Sequence, residues 1–378
     1  MTINQPALPK HLAFVQRLST PVSDSLSNSC GQALSLDELA ELTEQDFSAL
    51  NEIKLSYASL RGSERLREQI AYFHQALNHH QFQLTAEHVL TFCGAQEALA
   101  ALYQLLLQPG DEVVVVTPNY PSLSQMAEQA GCVVKAIALS PDRAWQLTLA
   151  DFQQVVNHKT KLILINSPHN PSGQVIDSKL ADDILLIAQQ YNCYLIADDV
   201  SQATNYYQLN LSHRFLDYQK AVVVSVMSKS FGLAGIRLGW VLSRNKELLN
   251  RLLALKSYSS ICCSLLDETV ATMVLSKADK IIASNNQIVK NNIVLFEQLV
   301  SQLPEKLAWC PPQAGILALV EVKGIDNIES WAQALAQTTG ILALPGTLFG
   351  LIGPYFRLGL GQKEFAPLLA RFANYLTD

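Results

Sequence analysis

The chain is poor in charge. Asp, Glu, Lys and Arg make up 16% of its 378 residues, and 27 basic against 33 acidic residues leave a formal net charge of −6. That balance argues against nucleic acid or an anionic membrane as a partner. No apolar run is long enough to cross a bilayer. The first residues, "MTINQPALPKHLAFVQRLS", lack the apolar core of a secretory signal. The seven cysteines, Cys30, Cys93, Cys132, Cys193, Cys262, Cys263 and Cys310, are odd in number and scattered apart from one adjacent pair. Neither a disulfide framework nor a metal site is indicated, and buried free thiols in a reducing cytoplasm are expected. Low-complexity tracts, charge runs and repeats are missing too. What is present is an ordinary globular composition, 49% hydrophobic with 17 glycines and 15 prolines. The chain is long enough for a large core and two domains.

From about residue 89 a rhythm sets in. "HVLTFCG" reads as a strand and "AQEALAALYQLLLQ" as a helix closed by Pro109-Gly110. The strand "DEVVVVTP", the helix "SLSQMAEQAG" and the strand "CVVKAIAL" follow. Next come "KLILINSP", the helix "SKLADDILLIAQQYN", and the strands "CYLIADDV", "AVVVSVMS" and "GIRLGWVLS". Short β-rich runs alternating with helices predict an α/β domain whose mostly parallel sheet is covered by helices on both faces. After "NKELLNRLLALKSYSS" the pattern changes. One long helical stretch over about 264–302 leads to "GILALVEV", the helix "SWAQALAQ" and the strand "YFRLGLG", which reads as a smaller α+β domain. The expected division is 1–45 as an N-terminal segment packing on the small domain, 46–265 as the large domain and 266–378 as the small one.

In an open α/β sheet, ligands bind at the carboxyl ends of the strands, so the residues following each strand are the candidates. They are Gly94-Ala95-Gln96, a glycine turn opening a helix; Tyr120 in "PNYP"; Asn166 and Asn170 in "NSPHNPSG"; Asp198 and Asp199; and Ser228-Lys229, with Arg237 eight residues beyond the lysine. Each has a plain reading. The glycine turn is structural, Tyr120 lies in the core or rim, "NPSG" is a turn signal, the aspartates form a cap or a Mg²⁺ pair, Arg237 lies on the surface, and Lys229 is a solvated strand end. Taken together they match one ligand: a phosphate for the helix N-terminus and Arg237, a flat ring for Tyr120, a ring nitrogen for Asp198, a phenolic oxygen for Asn170 and an aldehyde for Lys229. That ligand is pyridoxal phosphate. A Schiff base with it would explain a lysine among apolar neighbours.

"NSPHNPSG" and "SKSFGLAGIRLGW" together make the chain resemble the fold-type I pyridoxal-phosphate enzymes of the class I/II aminotransferase family. "SYASLRGSERLREQIA", "LALPGTLFG" and "YFRLGLG" extend the match from about Tyr57 to Arg357. The resemblance implies roles. Lys229 would carry the cofactor and shuttle a proton. Asp198 would hold the pyridine nitrogen protonated. Gly94, Ala95, Gln96, Ser228 and Arg237 would bind the phosphate. Tyr120 would stack on the ring, and Asn170 would donate to its phenolic oxygen. Arg357 would take the substrate α-carboxylate. Tyr57 would reach the phosphate of a second subunit, which implies a homodimer. The substrates would be an amino acid and a 2-oxo acid, in the cytoplasm.

Two positions depart from the family pattern. Ser201 stands where a tyrosine usually donates to the phenolic oxygen, so that oxygen loses a donor and the Schiff-base pKa should rise. Val226 stands where a serine or threonine usually binds phosphate. Tyr206 or Tyr207 is a candidate replacement for the missing donor. The segment "SLSNSCGQALS", with Ser29 as a substrate-binding candidate, also differs from the family's glycine-acidic-proline segment. No second arginine is identifiable for a side-chain carboxylate. His169 reads as a turn residue and His79-His80 as a solvated loop. Asp199 should point to the other face of the sheet and bond to backbone. An aminotransferase is the leading reading, and a lyase, cyclase or oxidase of an amino acid using the same cofactor is the alternative.

Overall fold

The computed structural model describes residues 8–377. Seven strands form the larger sheet: β1 (Val89–Phe92), β2 (Glu112–Thr117), β3 (Val133–Ala138), β4 (Thr160–Asn166), β5 (Tyr194–Asp198), β6 (Ala221–Val226) and β7 (Gly239–Leu242). They lie in the order β1-β7-β6-β5-β4-β2-β3. All run the same way except β7, which is antiparallel to both β1 and β6. Runs such as Val113–Val116 and Val222–Val224 are buried on both faces, as the unalternating sequence requires. Only β3, at the edge, is largely open to solvent, and it carries Lys135 there. The crossover helices are amphipathic. In Ser178–Gln190, for example, Ala181, Ile184, Leu185 and Ala188 face the sheet.

A second sheet, antiparallel throughout, consists of β8 (Leu307–Trp309), β9 (Leu317–Val322), β10 (Leu344–Pro345) and β11 (Tyr355–Gly359), in the order β10-β11-β9-β8. The single long helix expected over 264–302 is two. Leu265–Leu275 ends at Ser276, and Ala278–Gln302 restarts after Lys277, whose φ of −131° lies outside the helical range. The second of these helices joins the two cores. Its Ile281 packs under the larger sheet, while Val289, Ile293 and Phe296, at helical spacing, pack under the smaller one.

The N-terminal segment touches both units. Phe14, on the helix Lys10–Gln16, is buried against Leu344, Leu348 and Phe349, and Asp24–Ser25 pairs with Ile341–Leu342. Farther on, Leu39 enters the core of the larger sheet. Between these points Asn28–Gln32 threads a slot so narrow that a Cβ on Gly232 or Gly359 would collide with the backbone of Gln32 or Asn28. Gly232 also needs its positive φ of 72°.

All seven cysteines are free, but only Cys193 and Cys263 are buried, and the other five are half-buried. No helix among the described residues is long and apolar enough to cross a membrane.

Candidate active site

The parallel strands end on one side of the larger sheet, where the chain encloses a cavity of about 270 Å³. Register sets its floor. Asn166, the last residue of β4, is the direct partner of Asp198, the last of β5. Asn166 Nδ2 donates to the Asp198 carbonyl at 2.9 Å, and its Oδ1 accepts from the Asn170 backbone N–H at 2.7 Å. Asn166 thus ties the proline turn to the strand. Asn170 Oδ1 accepts from Arg357 Nη1 at 3.3 Å, which leaves Asn170 Nδ2 unspent at the cavity wall.

Asp198 is buried, and among the described residues its carboxylate accepts one hydrogen bond, from the Val200 N–H at 3.4 Å. Burial pushes its pKa up to about 7. The Val200 N–H and Lys229 oppose that shift, the nearby Asp199 adds to it, and about 7 is the balance of all four. The folded value lies above that of an unfolded carboxylate. Its stabilising contribution is therefore full below the unfolded value and is lost as pH rises through about 7. Cofactor-free D198N is expected to melt a few degrees above cofactor-free wild type at about pH 8, with the gap closing near about pH 4. Thermal unfolding across that range checks this.

Lys229 follows β6 by three residues. Its Nζ donates to the Ser29 carbonyl at 2.7 Å and to Ser29 Oγ at 3.1 Å. Burial holds its pKa below the ordinary lysine value, aided by the cations of Arg357 and Arg237 and opposed by Cys30 and Asp198. Ser29 reaches the cavity, where both its oxygens meet the lysine.

Gly94, at φ 90°, turns the chain into the helix Ala95–Leu106, and a Cβ there would stand 2.6 Å from Arg237 Nη2. Arg237 itself has a left-handed φ of 46°, and its exposed side chain bonds the Ala234 carbonyl at 3.1 Å. Gln96, Ser228 and Val226 also line the cavity. Ser225 does not, because strand alternation turns it to the opposite face.

Arg357 comes from β11. Its neighbours Phe356 and Leu358 fill the core of the smaller sheet, so alternation sends Arg357 the other way, into the cavity. It is only 4% exposed. Its Nη2 donates to the Ser27 carbonyl at 2.9 Å, and its guanidinium lies 4.7 Å from the Phe349 ring centroid. Its Nε is buried without a partner, and no carboxylate pairs with it among the described residues. Burial lowers its pKa to about 10.

Tyr120 lines the cavity, its ring 5.3 Å from that of His11. Ser201 is also in the wall. Neither tyrosine stands in for the donor missing there. Tyr206 OH donates to the Pro312 carbonyl at 3.0 Å, and Tyr207 is half-exposed. Of the expected site residues, Gly94 stands behind the cavity lining, against Arg237, and Tyr57 stays away from its own chain's cavity altogether. It is 81% exposed, beside Leu55 and Cys262. His169 is a buried turn residue bonded to Ser172 Oγ at 2.8 Å. His80 is half-buried rather than solvated, its ring 6.2 Å from that of His213. Asp199 does point away from the cavity, but its carboxylate meets His213 Nε2 at 2.6 Å rather than backbone, because His213 is packed directly against that face. Sequence reasoning missed His11, Cys30 and Leu317 in the cavity wall.

The model of the family described as aminotransferase class I and II matches residues 43–370. The chain belongs to this family. Capreomycidine synthase of Streptomyces vinaceus is 29% identical over 263 residues, 69% of this chain and 67% of that protein. A probable aspartate aminotransferase of Methanocaldococcus jannaschii is 25% identical over 94% of this chain and 93% of its own length. The crystal structure of the pyridoxal-phosphate-dependent cyclase OrfR superposes with a TM-score of 0.87 at 25% identity, covering 98% of both chains. The fold of this aminotransferase-family enzyme is fold type I, and its cofactor is pyridoxal 5′-phosphate. The residues fit that group. The buried Asp198 carboxyl has no salt-bridge partner among the described residues, the glycine cradle at Gly94 leaves no room for a Cβ beside Arg237, and Lys229 is an amine in the same cavity.

Proposed function

We propose that the enzyme is an aminotransferase that moves the amino group of a monocarboxylic α-amino acid to a 2-oxo acid. The observation that carries this reading is Arg357, a buried guanidinium with an unpartnered Nε and no carboxylate partner, in the same cavity as Lys229. A fork of this kind suits one α-carboxylate. The other cavity arginine, Arg237, stands at the phosphate end by Gly94, so a second substrate carboxylate has no guanidinium to meet.

When bound, pyridoxal phosphate supplies an aldehyde that condenses with an amine and a ring that accepts the electron pair left on Cα. The chain does the rest. Lys229 Nζ, its pKa lowered by burial, takes the proton from substrate Cα and returns it at the cofactor's C4′. Asp198 would hold the proton on the ring nitrogen, and Asn170 Nδ2 would donate to the ring oxygen. Tyr120 flanks the ring. Arg237, Ser228, and the N–H groups of Ala95 and Gln96 hold the phosphate. The exposed Tyr57, with Leu55 at 82% and Tyr258 at 93% exposure, would be covered in a homodimer and reach the partner's phosphate. The division into 46–265 and 266–378, with 1–45 as a strap, belongs to the same proposal and is supported by the two separate cores.

A second reading is favoured by Ser201. With Asn170 as its one side-chain donor, the ring oxygen stabilises its charge less, and the relatives include capreomycidine synthase and a cyclase. In that reading the enzyme eliminates, cyclises or oxidises its amino acid. The test is a panel of amino acids added one at a time to the oxygen-free holoenzyme, whose sedimenting mass should be near twice 41.6 kDa. Transamination gives one equivalent of 2-oxo acid and the amine form of the cofactor, which a 2-oxo acid reverses. Consumption of the amino acid without the amine form of the cofactor selects elimination or cyclisation, and consumption that begins only when oxygen is admitted selects oxidation.

A further inference from the structure

The helix Lys10–Gln16 is fixed to the smaller unit by Phe14, fully buried among Leu344, Leu348 and Phe349. His11, three residues earlier, shares that helix face and is thereby carried to the cavity wall, its ring 5.3 Å from that of Tyr120. Phe349 does more than hold Phe14. It lies against the Arg357 guanidinium at 4.7 Å, and its carbonyl accepts from the Asn119 N–H, next to Tyr120, at 2.9 Å. One anchor therefore sets His11, Tyr120 and Arg357 relative to each other.

An amino acid held by its carboxylate on Arg357, with Cα at Lys229, has a third substituent to place. Beyond the residues given to the cofactor, the wall is apolar (Leu99, Val200, Val226, Ala234 and Leu317) apart from His11 and Cys30, with Asn166 spent on the floor and the Ser29 oxygens on Lys229. Within that wall, His11 makes no side-chain hydrogen bond among the described residues; its Nδ1 is enclosed by protein, which leaves Nε2 as the nitrogen free to meet a ligand. Once a substrate displaces water from the cavity, such an atom is costly when unmet and selective when met.

We propose that His11 reads the substrate side chain, accepting a hydrogen bond from a hydroxyl, amide or guanidino group, so that the preferred amino acid is monocarboxylic with a side-chain donor. The inference rests on the reading of Arg357 as the α-carboxylate site. Burial, with the cations of Arg357 and Lys229, lowers the His11 pKa to about 4. The ring is then neutral near pH 7 and keeps an acceptor nitrogen.

The experiment measures equilibrium binding of near-isosteric pairs, asparagine against leucine and threonine against valine, to wild-type, H11Q and H11F holoenzyme. Wild type is expected to favour the donor-bearing member by about tenfold or more. In H11F the ratio collapses toward one, and H11Q, which keeps an acceptor, retains most of it. The imidazole resonances of His11, assigned by their loss in H11Q, shift with asparagine and stay in place with leucine. Four results would overturn the proposal: no preference in wild type, a preference that survives in H11F, equal losses in H11Q and H11F, or tighter binding of aspartate than of asparagine. None of these readouts needs turnover, so they stand even if no amino acid yields an oxo acid. If neither member of any pair binds, and R357A leaves that unchanged, the α-carboxylate reading fails and this inference fails with it.

Discussion

K229A is expected to lower turnover by about 10⁴-fold or more with every amino acid while leaving the cofactor site assembled. The size follows from the lack of a substitute. Among the described residues Nζ is the only amine lining the cavity, and in the proposed function Asp198 is given to the ring nitrogen, Arg237 and Arg357 to anions and His11 to the substrate side chain. Its environment also favours a base. Burial, seconded by two guanidinium groups, depresses the lysine pKa, and no ion pair holds the ammonium among the described residues. The alanine variant should bind pyridoxal phosphate noncovalently, because the glycine cradle, Arg237 and Asp198 remain. Borohydride should then fail to fix the cofactor to the chain. Single-turnover kinetics and mass spectrometry after reduction read both halves. A variant that keeps more than about one part in a hundred of the wild-type rate would mean another group moves the proton.

R357A is expected to reduce kcat/KM by about 10²- to 10³-fold for all amino acids alike, mostly through KM. The guanidinium is buried with no carboxylate partner, so a substrate carboxylate gains a charge-assisted fork in a dry setting. R357K should recover little, because a point charge on a flexible stem cannot reproduce two parallel donors. Stability should move the other way. Removing a buried, unpaired cation relieves a desolvation cost, so the melting temperature of R357A should equal or exceed that of wild type. Steady-state kinetics and thermal unfolding on the same preparation separate loss of binding from loss of fold. A large fall in melting temperature would show that Arg357 holds Asn170 and Ser27 in place rather than waiting for a ligand.

Most of the larger sheet was legible because its strands carry their own signal. Val113–Val116 and Val222–Val224 are buried on both faces, so each is an unbroken apolar run. The residues immediately beyond those runs fall at one end of the sheet by topology alone. That is why Gly94, Tyr120, Asn170, Asp198 and Lys229 could be gathered from spacing. The reversal of β7 was not legible, since a buried strand reads the same in either direction. The break at Ser276–Lys277 was also missed, because it carries no glycine or proline.

The sequence by itself determined the α/β class and the cofactor and nominated the residues proposed to hold it, because these are written in runs of a few contiguous residues. Only the tertiary structure decided which partners those residues meet. Asp199 faces His213, Tyr206 is tied to Pro312, Ser29 meets Lys229, and Arg357 is left with a buried Nε that has no partner among the described residues. It alone brought His11, from a segment without periodicity, to a cavity built by residues hundreds of positions away. Local propensity acts over a turn of helix or a few residues of strand. A pocket wall is set by packing between distant segments, here by Phe14 on Phe349 and by the slot that Gly232 and Gly359 leave for Asn28–Gln32.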